Sequence, residues 1–161
     1  MNVIPKFVGD IENYPNFFCI VIQVVDLDLM EKSPRWYFEI SERQNDLDKI
    51  FQFFYGREMY WFTANGNHYD NPLLHYIVME YSRLKKISAG QLNSELYKLG
   101  SYLIDNNYEK YKRWKYRPRS MPYISVDLFL FWTKLIRQNK HVSLKGLMVA
   151  VKFPNVQEIP I

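Results

Sequence analysis

The segment from Phe17 to Val25 constrains the fold most, because it is an almost continuous apolar run rich in Val and Ile. It stops abruptly at Asp26 and Asp28. A run of this length and β-branched content, bounded by charged residues, predicts a largely buried strand. The N-terminal part of the chain is therefore expected to contain a sheet.

Two further strands are predicted at Trp36–Ile40 and Met59–Thr63, where aromatic and β-branched residues cluster. Between them, Asn45 or Asp46 provides an N-cap for a short helix that runs to Phe54 with apolar residues at helical spacing. These elements predict an antiparallel sheet with one short helix.

After the strand Met59–Thr63, most sequence patterns predict helices. Asn71 is a good N-cap, followed by Pro72 in the first helical position, and the pair predicts a helix to about Lys86. Ser88 and Gln91 have the spacing of a capping box, which predicts the start of a second helix.

A third helix is predicted from a cap at Ser125 to about Asn139, and its dense apolar content indicates a central core helix. Leu147–Phe153 fits either a final strand or a short helix. The predicted class is α+β: an N-terminal antiparallel sheet with one short helix, followed by a mainly helical C-terminal half.

The 161 residues match the usual size of one domain, so we expect a single globular domain over 1–161. It divides into an acidic α/β half, 1–70, and a basic helical half, 71–161. Residues 1–80 hold 12 acidic and 6 basic side chains, whereas residues 81–161 hold 5 and 15. This division favours a polyanionic partner for the basic half, although the two halves complementing one another would give the same counts.

The single cysteine, Cys19, lies inside the apolar run and is expected to be a buried thiol in a reducing compartment. Neither a signal peptide nor a stretch of membrane-spanning length is predicted, so we expect no membrane association and a cytoplasmic location, or a host-cell interior for a viral protein. Abundant Asn, Lys and Ile suggest an AT-rich coding sequence, as in a phage, virus, mobile element or low-GC bacterium.

The segment 108–119 mixes six basic residues with four aromatic residues and a single acidic one. Lys and Arg release counterions from phosphates, while aromatic rings stack on unpaired bases, so this mixture favours nucleic-acid binding. The predicted phosphate contacts are Lys110, Lys112, Arg113, Lys115, Arg117 and Arg119, and the predicted stacking residues are Tyr111, Trp114 and Tyr116. The alternative is a solvated basic turn whose aromatic rings pack inside the fold.

Catalytic and metal sites are not predicted from the sequence, and no cofactor is expected. Asp26 and Asp28 are candidates for a divalent-cation site, with Glu39 or Glu42 as a third ligand. Carboxylates that face solvent at the end of a strand are the favoured interpretation of this pair.

The three histidines, His68, His75 and His141, lack the spacing of zinc ligands, and Cys19 has no local partner. The leading functional prediction is therefore non-enzymatic nucleic-acid binding through 108–119. One alternative is a protein–protein interaction factor, such as a phage or viral inhibitor of a host protein, that uses the aromatic window Phe51–Phe62 or the acidic half. The second alternative is a metal-dependent nuclease.

Overall fold

A computed structural model describes residues 4–26, 28–29, 32–105, 121 and 123–136. Five strands and five helices occur within these residues. In chain order they are β1 (Lys6–Tyr14), β2 (Phe17–Val24), β3 (Arg35–Ser41), α1 (Leu47–Phe54), β4 (Tyr60–Thr63), α2 (Asp70–Met79), α3 (Tyr81–Leu84), α4 (Ala89–Asp105), β5 (Ile124–Asp127) and α5 (Leu128–Ile136).

The five strands form one sheet in the order β3-β2-β1-β4-β5. The first three strands make an antiparallel meander, whereas β4 lies parallel to β1 and β5 lies parallel to β4. Parallel neighbours need a crossover connection, and α1 lies in the crossover from the meander to β4. The carboxyl ends of β1, β4 and β5 consequently point toward the same edge of the sheet.

The α+β class predicted from the sequence is confirmed, with strands first and helices later. The sheet is larger than its predicted N-terminal part, and it is mixed because the parallel strands β4 and β5 extend the antiparallel meander.

The main core lies on one face of the sheet, where alternate residues of the meander meet α1, α2 and α4. Its fully buried members include Phe18, Ile20, Ile22, Ile40, Phe54, Trp61, Leu73, Leu92 and Leu96. Gly9 lets the Trp61 ring lie directly against β1, since an added Cβ at this position would overlap the ring.

Most local predictions in the first half hold. The strands at β2, β3 and β4 and the helix α1 match within one or two residues. The capping box is also confirmed: the Ser88 amide donates to the Gln91 side-chain oxygen over 3.1 Å, and the Gln91 amide donates to the Ser88 hydroxyl over 3.3 Å.

The helix predicted from Asn71 to Lys86 differs in two respects. It begins at Asp70, two residues before the predicted first helical residue Pro72, so Asn71 lies inside α2 and is not its N-cap; it is also interrupted at Glu80, so that α2 and α3 are separate helices. Pro72 is the third residue of α2, so it lies in the first turn but not in the predicted first helical position.

The prediction of a helix capped by Ser125 is wrong. Ser125 lies in β5, because this segment pairs with β4, and a sheet partner overrides the local helix signal. Asp127 provides the cap two residues later, accepting hydrogen bonds from the amides of Phe129 and Leu130. The helix is also not a central core helix, since Leu130 is 43% and Phe131 is 54% exposed.

Leu147–Phe153 lies outside the described residues.

Cys19 is buried, as expected, and burial raises the pKa of its thiol. Within the described ranges, the structure has no helix that is both long and apolar enough to cross a membrane.

Candidate metal centre

The candidate site lies beside the C-terminal part of β1, which β4 does not pair with. β4 pairs with β1 only at Lys6, Phe7 and Val8, whereas β1 continues to Tyr14. Beyond this pairing, the backbone on the β4 side of β1 needs other partners. The Ile11 amide finds one in Oδ1 of Asp70, at a distance of 3.1 Å.

Asp10 lies beside this hydrogen bond on β1. Because side chains alternate along a strand, Asp10 and Glu12 share one face while Phe7 and Ile11 share the buried face. Asp10 therefore lies on the exposed face of β1, and it lines the cleft beside this hydrogen bond.

Asp10 and Asp70 line the same cleft, which has a volume of about 360 Å³. Its other walls come from Ile11, the turn after β4 and the last turns of α4; the further lining residues are Ala64, Asn65, His68, Tyr69, Leu103 and Ile104. Clefts at the carboxyl ends of parallel strands are a recurrent position for ligand sites.

The cleft contains two carboxylates of different burial, that of the buried Asp70 and that of the exposed Asp10. Asp70 is only 3% exposed, and burial, together with the nearby charges of Asp10 and Asp127, raises its pKa to about 7. Burial and the charge of Glu12 also raise the pKa of Asp10. Within the described part of the chain, no Lys or Arg forms an ion pair with Asp10 or Asp70.

The turn from β4 to α2 carries Asp70 into position. Asn65 has a positive φ of 62°, which Asn tolerates better than most residues. The turn closes through hydrogen bonds from the His68 amide to the Asn65 carbonyl, 3.1 Å, and from the Asn71 amide to the Gly66 carbonyl, 2.8 Å. Asp70 follows as the first residue of α2.

The opposite wall depends on the close approach of α4 to β1. A Cβ at Gly100 would lie 2.6 Å from Nδ2 of Asn13 and 2.8 Å from the Tyr69 hydroxyl oxygen. Asn13 also donates from Nδ2 to the Leu96 carbonyl over 2.9 Å. Glycine at position 100 therefore lets these polar groups pack between the helix and the strand.

Two carboxylates suit a hard divalent cation. Among the described residues, no group of three His, Cys, Asp or Glu side chains forms a complete metal site. Mg²⁺ does not require one, because it keeps several waters and commonly binds one or two carboxylates together with substrate phosphates. Asp10 and Asp70 are the residues that fit this requirement.

The structure describes only some of the residues singled out from the sequence. The whole basic segment 108–119 lies outside the described residues, as does His141. Oδ1 of Asp26 accepts hydrogen bonds from the amides of Asp28, 2.9 Å, and Leu29, 3.2 Å. Asp26 thus stabilises a local turn.

Glu39, one of the two residues predicted as a third ligand beside Asp26 and Asp28, has other partners. Its carboxylate accepts hydrogen bonds from Arg43 at 2.6 and 3.0 Å, from Ser41 at 2.6 Å and from Tyr37 at 3.0 Å. These bonds leave little capacity for a metal ion.

The aromatic window Phe51–Phe62 mainly supplies the core. Phe53, Phe54 and Trp61 are buried, whereas Tyr55 is 64% exposed. Core packing therefore accounts for most of the aromatic content that sequence reasoning considered for a protein–protein surface.

Sequence reasoning missed Asp10 and Asp70 as a pair. A local signal existed at Asp10, because Phe7, Ile11 and their polar neighbours alternate as they do in a strand with one buried face. No local pattern connects this strand to Asp70, since their contact depends on the order of strands in the sheet.

No protein-family model matches the chain, and no curated protein or solved structure shows significant similarity to it.

Proposed function

We propose that the protein is a nuclease that hydrolyses phosphodiester bonds with a divalent metal ion held by Asp10 and Asp70. The observation that carries this proposal is the buried carboxylate of Asp70, which shares a cleft with Asp10 and lacks a Lys or Arg counter-ion among the described residues. Burying the Asp70 carboxylate without a counter-charge is costly, and a cation bound between it and the exposed Asp10 would offset that cost.

The chemistry follows from the ion's charge. Asp10 and Asp70 would hold the ion, which when bound would lower the pKa of a bound water and polarise a phosphoryl oxygen, the two requirements for attack at phosphorus. In this hydrolysis, water would form the new P–O bond while the bond to the leaving oxygen breaks, and the proton lost by the water would pass to that oxygen. Asp10 and Asp70 hold the ion, and the cleft walls exclude part of the solvent.

The substrate class comes from charge and composition. The basic second half of the chain and the segment 108–119 favour a polyanion with bases that can stack on aromatic rings. Nucleic-acid binding through this segment remains a prediction. Such binding is compatible with cleavage at a separate carboxylate pair, because the basic segment would hold the nucleic acid while Asp10 and Asp70 hold the metal ion.

Cleavage of labelled single- and double-stranded oligonucleotides tests the proposal. We expect cleavage with Mg²⁺ or Mn²⁺, none with EDTA, and a loss of more than about 100-fold in Asp10→Asn and Asp70→Asn, beyond the loss typical of outer-shell substitutions. Asparagine preserves the size of the side chain and removes its charge. Asp26→Asn is the matched control and should retain activity.

Binding without cleavage under all metal conditions would contradict the nuclease proposal and favour the non-enzymatic alternative. Cleavage that persists in Asp70→Asn but disappears in Asp26→Asn would move the metal site to the end of β2. A protein partner remains a third prediction, to be pursued by affinity purification if neither binding nor cleavage occurs.

A further inference from the structure

A third aspartate, Asp127, lies near the cleft and has a different set of contacts. Its Oδ1 accepts hydrogen bonds from the amides of Asn65, Phe129 and Leu130 at 3.2, 2.9 and 3.3 Å, and its Oδ2 accepts one from the Asn67 amide at 3.1 Å. An ionised carboxylate offers about four lone-pair sites. The side chain is only 5% exposed, and its four hydrogen bonds tie both of its oxygens to backbone amides.

These bonds join the end of β5 to the turn that precedes Asp70. β5 reinforces the connection through Asn71, whose Nδ2 donates to Oγ of Ser125 over 2.7 Å and to Oδ1 of Asn67 over 3.1 Å. The turn is thus held at Asn65 and Asn67 by Asp127 and at its junction with α2 by Ser125.

We infer that Asp127 is a positioning residue of the metal centre: it fixes the turn 65–67 that delivers Asp70 to the cleft, and it does not bind the ion itself. This inference rests on the proposed function. Residues that orient metal ligands without touching the metal typically change metal affinity or activity about 10–100-fold when they are substituted.

Asp127→Asn and Asp127→Ala separate positioning from metal ligation. Asparagine keeps one accepting oxygen, so in Asp127→Asn only the Asn67 amide is expected to lose its acceptor, whereas in Asp127→Ala both Asn65 and Asn67 lose theirs. Amide hydrogen exchange measured residue by residue should show this graded pattern.

The same variants are then assayed for the Mn²⁺ concentration that gives half-maximal cleavage. Positioning predicts an increase of about 10–100-fold in Asp127→Ala, a smaller increase in Asp127→Asn, and recovery of cleavage at high Mn²⁺. Asp46→Ala is the matched control: Asp46 is 4% exposed and accepts the Glu39 amide at 3.0 Å, but it does not line the cleft. It should leave the Mn²⁺ requirement unchanged.

Two results would overturn the inference. Unchanged exchange at Asn65 and Asn67 in Asp127→Ala would show that Asp127 does not hold the turn. Cleavage that no Mn²⁺ concentration restores, as expected for Asp70→Asn, would make Asp127 a ligand. If the wild-type protein neither binds Mn²⁺ nor cleaves, the proposed function fails and the metal-centre role of Asp127 fails with it, while the exchange data still decide whether Asp127 anchors the turn.

Discussion

The amide nitrogen of Ile11 and Oδ1 of Asp70 are 59 residues apart in sequence and 3.1 Å apart in the fold. This bond occupies the place on β1 where a longer β4 would have continued the ladder. It fixes a carboxylate at the edge of a central strand, next to Asp10, and so brings two negative charges into one cleft.

The raised pKa of Asp70 predicts how stability depends on pH. The folded-state pKa is about 7 against an ordinary value of 3.8, so between these values the folded protein holds a proton that the unfolded chain has released. The free energy of unfolding should therefore fall as pH rises through this window, by at most about 1.4 kcal/mol per pH unit from this group.

Urea denaturation across this pH range measures the effect. Asp70→Asn should flatten the slope, because asparagine does not titrate and can still accept the Ile11 hydrogen bond. An unchanged slope in this variant would assign the pH dependence to other groups.

Gly9→Ala should destabilise the protein through the contact between β1 and Trp61. The added Cβ would overlap the buried ring and lie 2.7 Å from the Val21 carbonyl oxygen, which belongs to the paired strand and cannot easily move. Overpacking of this kind costs about 1–3 kcal/mol.

Gly90→Ala is the control for Gly9→Ala, because no atom lies within 4 Å of a Cβ built at Gly90. Thermal or urea unfolding should place this variant within about 0.5 kcal/mol of wild type. Equal stability of the two variants would refute the packing of Trp61 against Gly9.

Charge reversal of Lys112, Arg113 and Lys115 should weaken nucleic-acid binding and reduce its dependence on salt, because fewer counterions are released. Fluorescence anisotropy with labelled oligonucleotides at two salt concentrations measures both. At saturating oligonucleotide, the cleavage rate should change much less than the affinity. An unchanged affinity would place the binding surface elsewhere.

The elements with strong local patterns were predictable from the sequence. β2 is a continuous apolar run, and α4 has a complete capping box at Ser88, so each element is recognisable without its neighbours. β1 is harder to recognise because Gly9, Asp10 and Glu12 weaken its apolar content, and its identity as a strand depends on pairing with β2 and β4.

The candidate site depends on contacts that no local pattern contains. Ser125 resembles a helix cap in sequence, but it pairs with β4 as part of β5. The residue that caps α5 is Asp127. Asp10 and Asp70 converge only because β4 lies beside β1 and ends before it. Sheet order is a property of the whole fold, so the sequence indicated acidic residues without indicating which of them meet.

Titration of the protein with Mn²⁺ by isothermal calorimetry tests the central claim most directly. At about pH 8, where a carboxyl with a pKa of about 7 is ionised, we expect saturable binding to the wild-type protein. Asp10→Asn and Asp70→Asn should each abolish this binding, while Asp26→Asn preserves it. The absence of binding to the wild type, or equal binding to the Asp70→Asn variant, would contradict a metal centre at Asp10 and Asp70.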